Sequence, residues 1–125
     1  MKPVLFVLSL ILLASCSKSD FTKDELQQAV LDSGKPLHAA GFNLEGINLA
    51  GAKWLRMANL SDANLQDADL SGADLNSADL TRANLMGANL TGANLTEAEL
   101  THTKFNETEA QRRARELARR RTRYK

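Results

Sequence analysis

From Leu60 to Leu100 a leucine returns at every fifth position (60, 65, 70, 75, 80, 85, 90, 95 and 100), and an alanine stands two places before each. Five is the period of no regular element. On an α-helix, at about 100° per residue, successive leucines would fall roughly 140° apart and ring the cylinder. On a strand an odd spacing sends alternate leucines to opposite faces, leaving half of them in water. A coiled coil needs an apolar period near 3.5 or 3.67. The chain must therefore turn within every repeat. If each unit forms one short side and then bends, every Leu and its Ala can point at a common axis. That arrangement is a solenoid, whose units bury their apolar residues only by stacking on their neighbours.

The residue before each Leu is Asn59, Asn64, Asp69, Asp74, Asp79, Asn84, Asn89, Asn94 or Glu99, and the two after it are mostly Ser, Thr, Gly or charged. These positions are expected to turn the chain or face outward. The A(D/N)LXX pattern resembles the signature of pentapeptide repeat proteins. The resemblance implies an all-β solenoid, a right-handed quadrilateral β-helix with four units per coil and the Leu and Ala packed inside. Residues twenty apart would then stack at about 4.8 Å. The expected core ladders are Leu60/Leu80/Leu100, Leu65/Leu85/Phe105, Leu70/Leu90 and Leu75/Leu95.

The flanks of the array are less regular. Phe42-Asn43-Leu44 and Ile47-Asn48-Leu49 fit the frame, but Trp54 to Leu60 spans six residues, so one residue is inserted. Either Trp54 or Leu55 points inward, with a bulge absorbing the excess. The array is expected over residues 42–106, about three coils and about 15 Å tall at the spacing between strands. Short solenoids need caps over their ends. Phe21 and Leu26 flank Thr22 and Glu25 as a hydrophobic staple around a capping box, and Leu26, Ala29, Val30 and Ser33 share one face before Gly34. Residues 22–34 are therefore expected to form an N-terminal capping helix.

The opening residues speak to the compartment. Val4 to Leu13 is a ten-residue apolar run, the length of a signal-peptide core and too short to span a bilayer. Leu13-Ala14-Ser15-Cys16 resembles the lipobox of bacterial lipoproteins, which implies cleavage after residue 15 and a covalent lipid on Cys16. Residues 1–15 then form the signal peptide, and 16–21 the lipidated Cys and a short leash. Ser17 after the Cys implies, by the enterobacterial sorting rule, an outer-membrane protein facing the periplasm. Cys16 is the only cysteine, so no disulfide can form within the chain.

Residues 107–125 break the repeat and carry eight basic and three acidic side chains. The basic ones are Arg112, Arg113, Arg115, Arg119, Arg120, Arg121, Arg123 and Lys125. Ala110, Ala114 and Leu117 give this stretch a narrow apolar stripe if it is helical. Three readings stand side by side. It is a solvated capping helix, a segment that binds anionic lipid or polysaccharide, or a wall tether. The last rests on Arg123-Tyr124-Lys125, which resembles the end of the murein lipoprotein, whose terminal Lys is joined to peptidoglycan.

The composition weighs against several functions. Some pentapeptide repeat proteins imitate DNA with a strongly acidic rod and bind a topoisomerase. Residues 42–106 hold eight acidic and four basic side chains, a modest excess, and a secreted protein never meets that partner. The same compartment makes nucleic acid an unexpected ligand for the Arg-rich tail. His38, in an expected linker, and His102, at an outward position, assemble no triad or metal set. The G-G-x-G-x-D pattern of calcium-binding β-rolls is absent. The expectation is a non-catalytic lipoprotein without cofactor other than its lipid, displaying the solenoid as an interaction or scaffold module toward another envelope component. The alternative is a tether between outer membrane and peptidoglycan.

Overall fold

The computed structural model describes residues 21–106 together with Arg112, Glu116 and Arg119. The expected signal segment, Cys16, the leash and the other residues of the tail lie outside the described residues. Helix α1, Lys23–Ser33, opens the described chain. Thr22 is its N-cap, with the reciprocal bonds of a capping box between Thr22 and Glu25. Gly34 ends it in the left-handed conformation, its N–H donating to Val30 O at 2.9 Å. Of the expected apolar face, Leu26 is buried and Val30 packs on the core, whereas Ser33 is exposed.

From Leu37 onward the chain winds into a rod. Parallel pairings join Asn59 to Asp79, Asn64 to Asn84, Asp69 to Asn89, Asp74 to Asn94 and Asp79 to Glu99, every one twenty residues apart. Where pairing is longest, β1 (Asn84–Leu85) lies in register with β2 (Lys104–Phe105). Four five-residue sides thus complete each turn. Strands of two residues suffice because the hydrogen bonds run between turns, as in Leu60 N to Asp79 O and Asn84 N to Ala63 O.

The five-residue unit has a local cause. Each side ends in a β-turn, such as that closed by Ala63 N on Leu60 O at 3.1 Å, whose third residue is left-handed: Asp62 has φ 60° and Gly72 φ 65°. The Asn or Asp before each Leu braces that turn. From Asn43 to Asn94 its side-chain oxygen accepts the N–H two residues on, at 2.9–3.4 Å, at every side except the one holding Trp54. Glu99, one methylene longer, bonds the Thr101 hydroxyl instead. The Leu that follows then points inward.

The core is the expected one from Leu60 through Leu95, where Leu60, Leu65, Leu70, Leu75, Leu80, Leu85, Leu90 and Leu95 are all buried, and Ala58 through Ala88 line it beside them. Leu100 and Phe105 depart from expectation. Both are only partly buried, because no described coil stacks above them. Thr103 takes the Ala position there and donates to Leu80 O at 2.8 Å.

The other end carries two corrections. His38 is not in a linker. It pairs with Asn59, so the array begins at Leu37 and not at Phe42. In that first unit the large residue, Leu37, occupies the usual Ala place, and Ala39 takes the centre, both buried. The inserted residue is also placed. Leu55 is fully buried and Trp54 only partly so, and the extra residue is taken up in a short 3₁₀ turn, Lys53–Leu55. Pairings across this turn lengthen to twenty-one residues, as in His38 with Asn59, Asn43 with Asn64 and Asn48 with Asp69. Phe21 stacks on Phe42, ring centroids 5.0 Å apart, and Lys23 Nζ donates to Ala50 O at 2.5 Å, so the approach to α1 is fastened onto the first coil.

Candidate functional site

The rod presents its sides and corners to solvent. On each side two outward residues flank the buried Leu, and the left-handed residue forms the corner. The second side carries a column of amides: Asn64 Nδ2 donates to Asn43 Oδ1 at 3.0 Å, and Asn84 Nδ2 to Asn64 Oδ1 and Gln66 Oε1, both at 3.3 Å. The third side is low in relief, with Ala50, Ser71 and Thr91 above one another beside corner glycines 51, 72 and 92. At the corner after the first side, Arg82 makes a bidentate ion pair with Asp62 one turn below, at 2.7 and 2.8 Å. Both partners are exposed, so solvent screens the pair and it adds little to stability.

Two carboxyls are shifted by these contacts. The Arg82 guanidinium holds Asp62 below the usual carboxylate range by hydrogen bonding and charge. Ser71 does the same to Asp69, its hydroxyl at 2.6 Å and its N–H at 3.0 Å both donating, and the charge of Lys23 adds to it. Both shifts stabilise the ionised form at surface turns and prepare no group for proton transfer.

The carboxylates and amides in the position before each Leu are thus spent on the turns. Among the described residues no three His, Cys, Asp or Glu side chains gather to hold a metal ion, and no buried side-chain polar atom lacks a partner. His38 pairs at the first coil and Asn59 Nδ2 lies 3.3 Å from its Nδ1, while His102 occupies a corner near the last. The structure does not bring them together. No described helix is long and apolar enough to cross a membrane.

Of the tail positions expected to meet an anionic surface, Arg112 and Arg119 are helical and exposed, as is Glu116 between them, and all three are engaged in interactions. Arg113, Arg115, Arg120, Arg121, Arg123, Lys125 and the lipidation candidate Cys16 lie outside the described residues. Sequence reasoning missed the corner left by the insertion, where Met57 is 58 % exposed beside the partly exposed Trp54. Its signal was the break in period itself.

The pentapeptide repeats family model matches this chain in eight copies, over residues 43–85, 58–96 and 83–112, together more than half of its length. Among solved structures, HetL, a pentapeptide repeat protein involved in heterocyst differentiation regulation in the cyanobacterium Nostoc sp. strain PCC 7120, is 47% identical, over 54% of this chain and 30% of its own, with a TM-score of 0.39. Rfr23 from the cyanobacterium Cyanothece 51142 is 32% identical over 58% of this chain and 42% of its own, with a TM-score of 0.29. A pentapeptide repeat protein of the Arabidopsis thaliana thylakoid lumen is 28% identical, over 75% of this chain and 70% of its own, with a TM-score of 0.27. The chain spans less than half the length of the first two. No curated protein matches it. With the repeat, its twenty-residue stacking and the family match in agreement, the chain belongs to the pentapeptide repeat family and has that family's right-handed β-helix-like fold.

Proposed function

We propose that this protein is a lipid-anchored module of the bacterial envelope that works by presenting a rigid rod to another envelope component, without catalysis. In this reading the rod is quadrilateral, about three coils tall, and capped by helices at both ends. The observation that carries the reading is the order of the chain: an apolar run, Leu13-Ala14-Ser15-Cys16, and then, after four residues, Phe21 fixed into the end of the rod. A single acyl chain gives marginal membrane binding and more than one makes it stable, at roughly 0.8 kcal/mol per buried CH₂. The rod's polar positions support the non-catalytic part, since they are occupied in bracing turns.

Mass spectrometry of the protein from membrane fractions tests this reading. Cleavage before Cys16 with added diacylglycerol and acyl mass is expected, and Cys16→Ser should move the protein out of the membrane fraction. An unmodified Cys16, with the wild type soluble after lysis, would overturn the anchor. The basic tail, ending Arg123-Tyr124-Lys125, favours a second reading as a wall tether. Protein held on boiled-detergent sacculi, released by muramidase and lost on removing Lys125, would establish it. Its absence from sacculi would exclude it.

A further inference from the structure

The first coil gains a residue on one side only, and that side exposes a tryptophan, an arginine and a methionine. At the place of the bracing Asn or Asp stands Trp54, so this side has no turn-bracing carboxamide, and the 3₁₀ turn begins without a side-chain cap. Its corner residue is Met57, held left-handed at φ 62° and 58 % exposed. Left-handed corners recur on every side, but a side that combines an inserted residue, a missing brace and an exposed apolar corner is a candidate for function. Between Trp54 and Met57 is Arg56, exposed and outside any ion pair among the described residues. Lys53 completes the cluster, its Nζ on Gly72 O at 3.0 Å. Two of the four basic residues in 42–106 therefore stand beside the chain's only tryptophan. One coil up the same side, the Asp74 carboxylate accepts from Asn76 N and Asn94 Nδ2.

Position supplies the second argument. Lys23, in the first turn of α1, donates to Ala50 O, three residues before Lys53. The start of α1, two residues after Phe21, is thus tied to the rod at the corner from which this side begins. Phe21 stands five positions after Cys16, a reach of about 17 Å when extended. A partly exposed indole, an exposed thioether and cationic groups are the combination that settles at a bilayer interface, the ring at headgroup depth and the cations toward lipid phosphates.

We propose that Trp54, Arg56 and Met57, with Lys53, form a membrane-contact patch that seats the first coil on an anionic phospholipid surface. The patch rests on the anchor reading, because the leash is what holds this side close to lipid. Seated there, the rod stands at a fixed attitude with its far coil turned away from the bilayer.

Trp54 is its own reporter. Full-length protein purified from membranes, its lipid verified by mass, is reconstituted into vesicles of phosphatidylethanolamine and phosphatidylglycerol with brominated acyl chains. Trp54 emission is expected to fall about two-fold relative to unbrominated vesicles, as for an indole at headgroup depth, and Arg56→Glu or full replacement of phosphatidylglycerol by phosphatidylcholine should restore much of it. Lipid-bearing protein whose Trp54 is unquenched and equally open to acrylamide with or without vesicles leaves the anchor standing and overturns the patch. Acrylamide protection without bromine quenching points to a second copy covering Trp54, and overturns it too. A mass without lipid overturns the anchor, and the patch falls with it.

Discussion

The coils from Ala58 upward and the coil below them obey one rule with different fillings. Above, the position two before each centre through Leu100 is Ala and the turn length is twenty residues. Below, Leu37, Phe42 and Ile47 occupy that position and the turn length is twenty-one. Between two stacked coils, about 4.8 Å apart, there is room for one large side chain per side. At the end of the rod there is room for two, because the space is closed by Phe21 on Phe42 and by the buried Leu26 of α1. The small residue belongs to the interior of a stack, and a bulky one marks its capped end.

Substitutions can break or sharpen that contrast. Leu80→Asp, which places an unpaired carboxylate in the middle of a ladder, is expected to cost about 5 kcal/mol or more and abolish the cooperative thermal transition, whereas its outward neighbour Thr81→Ala should leave the melt unchanged. Leu80→Ala should cost about 3 kcal/mol in denaturant unfolding, and Leu100→Ala, at the partly buried upper end, about 1–2 kcal/mol. Equal costs would mean that the upper end is as tightly packed as the middle. Asp79→Ala removes the acceptor of Thr81 N and should cost about 1 kcal/mol, while Asp79→Asn keeps that acceptor and should cost almost nothing.

The smallest effect concerns pH. Asp62 and Asp69 titrate lower in the folded rod than in the unfolded chain. The stability they add is present above the ordinary carboxylate value of about 4 and is lost as pH falls below it. Asp69→Asn should lower the neutral-pH melt slightly and flatten its decline in acid, measured by melts between neutral and acid pH.

The repeating half of this architecture was legible in the sequence, because one leucine per unit fixes the inward direction, while the ladder partners followed from the four-sided coil that the resemblance implies. The ends of α1 were legible too, from Thr22, Glu25 and Gly34. The left-handed corners were hidden, since Gly72 and Gly92 announce them but Asp62, Arg82 and Glu97 hold the same conformation without a compositional mark. The first unit escaped because Leu37 and Ala39 exchange the usual sizes. Trp54 and Leu55 could not be ranked from pattern alone. Leu55 wins because it stands five before Leu60, and the 3₁₀ turn lets the longer interval fall between Leu49 and Leu55. The corner at Met57 was visible only as an interruption, because an exposed apolar residue beside a period break has no periodic signature.

The change of turn length across the insertion is tested most directly by disulfide trapping in a Cys16→Ser background. Stacked strands bring Cα atoms within the range a disulfide spans, about 4.4–6.8 Å. Cysteines at Ser71 and Thr91, twenty apart, and at Ala50 and Ser71, twenty-one apart, should both close rapidly under mild oxidation, while Ser71 with Thr96 on the next side should not. If the twenty-one-residue pair stays open, or the Ser71 and Thr96 pair closes as readily, the stacking described here is wrong.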